Sequence, residues 1–200
     1  MARMQSFVEG GCWVIQTSER LRFELHWSLP LFPIFTRCAT PISFALALVV
    51  LAVHEVGHAI VVRWRGLETY AIRMHGMGGH CLHEGGRPLD EAWIAWGGVL
   101  AQLPFFVVGV ALTSYLPPGR IADDLWVSLV LANGMMIAFN LVPIRGLDGW
   151  KAWSLFRLLR TDRAATKARA DRWAEKDRAM WDTIEAAKKR QAERDRQNLH

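Results

Sequence analysis

The chain has 200 residues, 52% hydrophobic and 22% charged, with three cysteines and a formal charge of +5. That length bounds it to about one domain, and Cys12, Cys38 and Cys81 offer neither a disulfide framework nor a four-thiolate metal site. Hydrophobic and charged residues are segregated along the chain, and nearly all the excess of Lys and Arg lies after residue 150, so the basic balance is a local property.

Residues 1–26 mix polar and apolar side chains, and only Leu21–Trp27 alternates as a short strand would. Trp27–Thr36 is apolar but broken by Pro30 and Pro33. It is too short to cross about 30 Å of hydrocarbon as a helix, so it lies at the interface or packs against the bundle. The start of the chain lacks a signal-peptide pattern, so the first true span is expected to direct insertion. That span is Ile42–Val62, interrupted only by His54, Glu55 and His58. Ala92–Leu116 is the second, and Ile121–Val142 the third, with Asp123 and Asp124 at its start and Asn133 and Asn140 further in. At about 1.5 Å rise per residue each run is long enough to cross. A soluble fold of this size rarely has room to bury three such lengths.

Between the first two spans, Glu68–Met74 reads as a strand, followed by Gly76, Gly78, Gly79, Gly85 and Gly86 in a glycine-rich turn pressed against the membrane. Beyond Thr161 the composition turns to Ala, Arg, Asp, Glu and Lys. Ala170, Trp173, Met180, Ile184 and Ala187, interrupted by Asp177, form the sparse stripe of an amphipathic helix outside the membrane. It is expected to rest one face on the core or the lipid headgroups; self-association or an adaptor role is the alternative, and nucleic acid ranks last. The chain thus reads as a mainly α membrane protein: an N-terminal strand and interfacial segment at 1–41, a three-helix transmembrane core at 42–160 with its small β and glycine-rich loop, and a charged cytoplasmic helix at 161–200.

Orientation follows from flanking charge. One side has Arg63, Arg65, Arg73, Arg87, Arg145, Lys151, Arg157, Arg160 and Arg163; the other has Arg20, Arg22, Arg37 and Arg120. The richer side is expected to be cytoplasmic, which puts the N-terminus outside and the first loop and C-terminus inside a bacterial inner or plasma membrane.

The strongest local signal is His54-Glu55-Val56-Gly57-His58 (HEVGH). Helical residues four apart share a face, so both imidazoles can reach one ion, while Glu55 projects to the side, where it can address a metal-bound water. Two histidines and a glutamate in an apolar span cost several kcal/mol unless paired or holding an ion, and zinc takes imidazole nitrogen readily. A buried polar cluster tying helices together is the plainer alternative. A catalytic zinc commonly has three protein ligands, so the third must come from another span at the same depth, roughly 6 to 12 Å from the end of the first. The third span reaches that level at Asn140-Leu141-Val142-Pro143-Ile144-Arg145-Gly146-Leu147-Asp148-Gly149, a helix break that makes Asp148 the natural third ligand, against a simple loop aspartate. Asn140 serves either an oxyanion or an interhelical hydrogen bond, and Asn133, two turns earlier, reads as structural. His75, His80, Cys81 and His83 cluster in the glycine-rich loop as a second metal site or a cap on the first, though their spacings match no strong zinc pattern.

These residues resemble the site-2 protease family of intramembrane zinc metalloproteases. HExxH in the first core span and Asn-x-x-Pro-x-x-x-x-Asp-Gly at the end of the third stand intact, and the likeness extends from about Leu21 through Trp153. His26-Trp27-Ser28, Gly78-Gly79 and Ile94-Ala95-Trp96-Gly97-Gly98 also look like family features. The resemblance implies three core helices, one zinc ion on His54, His58 and Asp148, Glu55 as base and Asn140 assisting. It further implies a cytoplasm-facing site acting on membrane-protein substrates that carry a transmembrane helix. Gly98 stands where members usually have proline, Gln102 where asparagine is common, and Arg145 lies within the helix break. A non-proteolytic zinc-binding membrane module that binds or regulates a partner is the main alternative; a metal transporter is a weaker one, because a single deep site has no evident route out on the second side.

Overall fold

The computed structural model describes residues 5–16 and 21–197. Strands β1 (Gln5–Glu9), β2 (Cys12–Gln16) and β3 (Arg22–His26) come first, then a 3₁₀ turn at Leu29–Leu31 and a short helix α1 (Phe32–Thr36). The helix α2 (Pro41–Trp64) leads into the hairpin β4 (Thr69–His75) and β5 (Gly78–His83). Helix α3 (Pro88–Tyr115) follows, and a third long helical run, Arg120–Asn140, is built from α4 (Arg120–Leu125), a π-helical stretch (Trp126–Ala132) and α5 (Asn133–Asn140). After a break come α6 (Asp148–Ala152) and α7 (Ser154–Gln197). The three helical runs are long and apolar enough to cross a membrane, so the protein is a multi-pass, mainly helical membrane protein.

Each run starts and packs for local reasons. The Thr40 side chain accepts the Ser43 amide and Pro41 occupies the first turn, where its missing N–H costs nothing. Gly57 and Gly97 let α2 and α3 meet backbone to backbone: a β-carbon on Gly57 would fall 2.5 Å from the Gly97 carbonyl oxygen. At the Trp64 end of α2, Arg65 Nε donates to Asp90 Oδ1 at 2.7 Å, tying the end of α2 to the start of α3. At the opposite end, Thr40 donates to Asp124, and Ser128 Oγ donates to the Ser43 carbonyl at 3.0 Å, tying α2 to the third run.

The five strands form one sheet in the order β1-β2-β3-β4-β5, antiparallel except for the parallel pair β3 and β4. That pair corrects the expected orientation of the N-terminal strands. Arg22 lies opposite Ala71, so the strand before the first span and the strand after it share the Trp64 end of α2. Residues 27–40 then run back along the bundle to the far end, with Phe32 and Cys38 buried against Ala47, Leu51 and Ala132. Within the Trp27–Thr36 segment Phe32 packs against the bundle, while Trp27, Leu31 and Ile34 are exposed.

The β4–β5 hairpin lies back along α2. Met74 packs on the cluster containing Leu51, which is about 20 Å from the Trp64 end of α2 by helical rise. Phe156 onward forms a second compact unit, the remainder of α7, on which Trp173 and Met180 are exposed. Of the rest of the stripe, the Ala170, Ile184 and Ala187 side chains lie outside the described residues.

Candidate metal centre

His54 and His58 lie one turn apart on α2, both buried, with their rings edge to face at a centroid separation of 4.6 Å. Their Nε2 atoms are 3.0 Å apart. Asp148 Oδ2 lies 3.1 Å from His54 Nε2 and 3.2 Å from His58 Nε2. Among the described residues this is the one group of His, Cys, Asp and Glu whose donor atoms converge closely enough to hold a metal ion.

The break in the third run makes the convergence possible. α5 ends at Asn140, Gly146 adopts a left-handed φ of +97°, and Leu147 is extended, so the chain doubles back to present Asp148 as the first residue of α6. Two tryptophans hold the returning segment: Trp153 Nε1 donates to the Leu141 carbonyl at 2.7 Å and Trp96 Nε1 to the Ala152 carbonyl at 2.9 Å. Glu91 on α3 accepts from Lys151 Nζ at 2.7 Å and from the Gly86 amide at 3.0 Å, joining α6, α3 and the hairpin exit. Arg145 tolerates its place in the break by stacking over the Trp150 ring at 5.3 Å.

The protonation pattern decides what the triangle can hold. His58 Nδ1 donates to the Ile94 carbonyl at 2.7 Å, and His54 Nδ1 donates to Gln102 Oε1 at 2.9 Å. With each neutral ring's proton placed on Nδ1, both Nε2 atoms present lone pairs toward a carboxylate. Three electron-pair donors facing one spot can share a cation there. A tetrahedral zinc with bonds of about 2.0 to 2.1 Å spaces its ligands about 3.3 Å apart, so the donor set and its spacing fit that ion. The Asp148 side chain is 27% exposed, and the centre opens on that side.

Glu55 is buried against β5, and a β-carbon on Gly79 would overlap its carboxylate. Asn140 Nδ2 is 3.4 Å from His54 Nε2, at the rim of the triangle. Gly98 forms the floor on α3: a β-carbon there would fall 2.5 Å from His54 Cε1 and 2.6 Å from His58 Nε2. From sequence, Gly98 reads as a point of close helix contact and, like Gln102, as a departure from the family pattern. Their contacts with the imidazoles become visible only when α3 is laid against α2.

His75, His80, Cys81 and His83 do not come together as a second metal group. They alternate along two antiparallel strands, with Cys81 opposite Ile72 and His80 opposite Arg73. Burial also pushes the Cys81 thiol up to about 12, so it is a protonated thiol at neutral pH. β4 is paired on both sides, so it has no edge left for another strand.

Among solved structures, the chain superposes on the site-2 protease from Methanocaldococcus jannaschii with a TM-score of 0.58. The match covers 72% of this chain and 71% of that one at 22% sequence identity. The fold is that of a site-2 protease. No family model and no curated protein sequence matches the chain. Within this site-2 protease fold, the His54, His58 and Asp148 cluster is a buried site able to coordinate a metal ion.

Proposed function

We propose that the protein is an intramembrane zinc metalloendopeptidase that hydrolyses a peptide bond in or near a transmembrane segment of another membrane protein. The observation that carries this reading is Glu55: a carboxylate buried beside the metal-binding triangle, which a module that only binds a partner would not need.

His54, His58 and Asp148 would hold the ion, and zinc bound there supplies Lewis acidity toward a carbonyl and toward water. Glu55 takes a proton from the attacking water and returns it to the leaving amine. Asn140, at the rim of the centre, donates its amide N–H to the oxyanion developing on the scissile carbonyl. A substrate helix must open at the cut, and lipid cannot satisfy the backbone groups this frees. The outer strand β5 supports a partner for them. It is the end strand of the sheet among the described residues, and its Gly79 touches Glu55, so an added substrate strand runs past the base.

The metal end faces the cytoplasm in this reading. Arg63, Arg65 and Arg87 lie where the end of α2 meets the start of α3, against Arg37 and Arg120 at the other end, where Thr40 meets Asp124, and basic residues favour the cytoplasmic side.

The test is incubation of the purified protein, reconstituted in vesicles, with candidate single-span membrane proteins. Wild type is expected to cut, and Glu55→Gln to load zinc without cutting. A Glu55→Gln protein that cuts at the wild-type rate removes Glu55 as the base, and a zinc-loaded wild type inert toward every candidate favours the non-proteolytic module.

A further inference from the structure

A buried polar chain leads away from His54 into the bundle, opposite the open side of the metal centre. Its first member is Gln102, on α3 one turn beyond Gly98, with 0% of its surface exposed. A buried primary amide is costly unless its acceptor and donors find partners. With an ion held between His54 Nε2, His58 and Asp148, the proton of the neutral His54 ring falls on Nδ1, 2.9 Å from Gln102 Oε1. The other end of the amide, Nε2, faces Met136 Sδ at 3.9 Å, a thioether that can only accept. Both contacts demand the same amide orientation, oxygen toward the imidazole. Asn133, also 0% exposed, donates Nδ2 to the Gln102 carbonyl oxygen at 3.3 Å and holds this turn of α3 against the third run.

The two histidines differ in what orients them. The partner of His58 is the Ile94 main-chain carbonyl, which the helix supplies whatever the side chain. His54 depends instead on a side chain, and the contact needs an acceptor oxygen at the reach of Gln102.

We propose that Gln102 is a positioning residue of the metal centre: its amide oxygen holds His54 with the proton on Nδ1 and the Nε2 lone pair aimed at the ion, and Asn133 steadies Gln102 from behind. The inference rests on the metal-centre reading above. Hydrogen-bond partners of ligating histidines typically carry about 10- to 100-fold in metal affinity, which sets the size of the effect.

The experiment is a competition titration of Zn²⁺ on the purified full-length protein in detergent, with Co²⁺ absorption bands reporting ligand geometry. Gln102→Leu, similar in volume but without an acceptor, is expected to weaken Zn²⁺ binding about 10- to 100-fold and to shift the Co²⁺ bands. Gln102→Glu, which keeps an oxygen facing Nδ1, is expected to restore both. A role in packing alone predicts the reverse order, with Leu tolerated and the buried carboxylate harmful, and that order would overturn the proposal. Should Gln102→Leu fail to fold, Gln102→Met provides the same loss of acceptor in a more adaptable side chain. Wild type and Gln102→Leu binding Zn²⁺ equally sinks the role of Gln102 alone; a wild type that binds no Zn²⁺ sinks the metal centre and this inference with it.

Discussion

Gly79 on β5 stands directly against the Glu55 side chain on α2, with no space between them for a β-carbon. The strand thereby forms the wall that fixes where the carboxylate lies. Gly79→Ala must push either the hairpin or the carboxylate aside. Displacing a catalytic group by about 1 Å can cost on the order of 100-fold in rate, so turnover should fall by that order while zinc content stays at the wild-type level. Paired measurements of cleavage rate and bound zinc check this, and a Gly79→Ala protein of normal activity would remove the strand as a determinant of Glu55 placement.

Gly98 faces the imidazoles as Gly79 faces the base, and the expected outcome differs accordingly. A methyl group at Gly98 lands 2.5 Å from His54 Cε1 and 2.6 Å from His58 Nε2, so the rings themselves must turn. Gly98→Ala should therefore lower zinc affinity by about 10- to 100-fold, the range found when groups that orient metal ligands are disturbed. Zinc competition in detergent measures it. Unchanged affinity would mean that the rings have more freedom than the packing of α2 on α3 allows.

If substrate adds to the sheet at β5, its backbone amides alternate between facing the strand and facing away, with a period of two residues. Methylating substrate amides one at a time near the cut should block cleavage at every second position and leave the intervening ones cut. A flat response across the scan would show that extension along β5 is not how the substrate is held.

The membrane core was legible because its signals are local and strong. Long apolar runs are needed to cross hydrocarbon, so the three spans are seen within a few residues of Pro41–Trp64, Pro88–Tyr115 and Arg120–Asn140. Four-residue spacing put His54 and His58 on one helical face, and the break after Asn140 indicated a carboxylate at matching depth. What escaped depends on partners distant in sequence. β1 and β2 have mixed exposure, with Val8 and Trp13 exposed and Cys12 and Val14 buried, so their polarity does not announce a strand pair. The parallel pairing of Arg22 with Ala71 joins segments separated by the whole first span, and without it the N-terminal strands were assigned to the wrong side. The depth of the hairpin is set by where Met74 packs, and the roles of Gly79, Gly98 and Gln102 by side chains that face them from another helix.

Zinc K-edge X-ray absorption on the purified protein, wild type beside Asp148→Ala, bears most directly on the convergence of α2 and α6 at one ion. The expected wild-type spectrum shows one zinc per chain with two imidazole nitrogens and carboxylate oxygen at about 2.0 to 2.2 Å, and occupancy falls in Asp148→Ala. Sulfur in the first coordination shell, or an Asp148→Ala spectrum and zinc content identical to wild type, would contradict it.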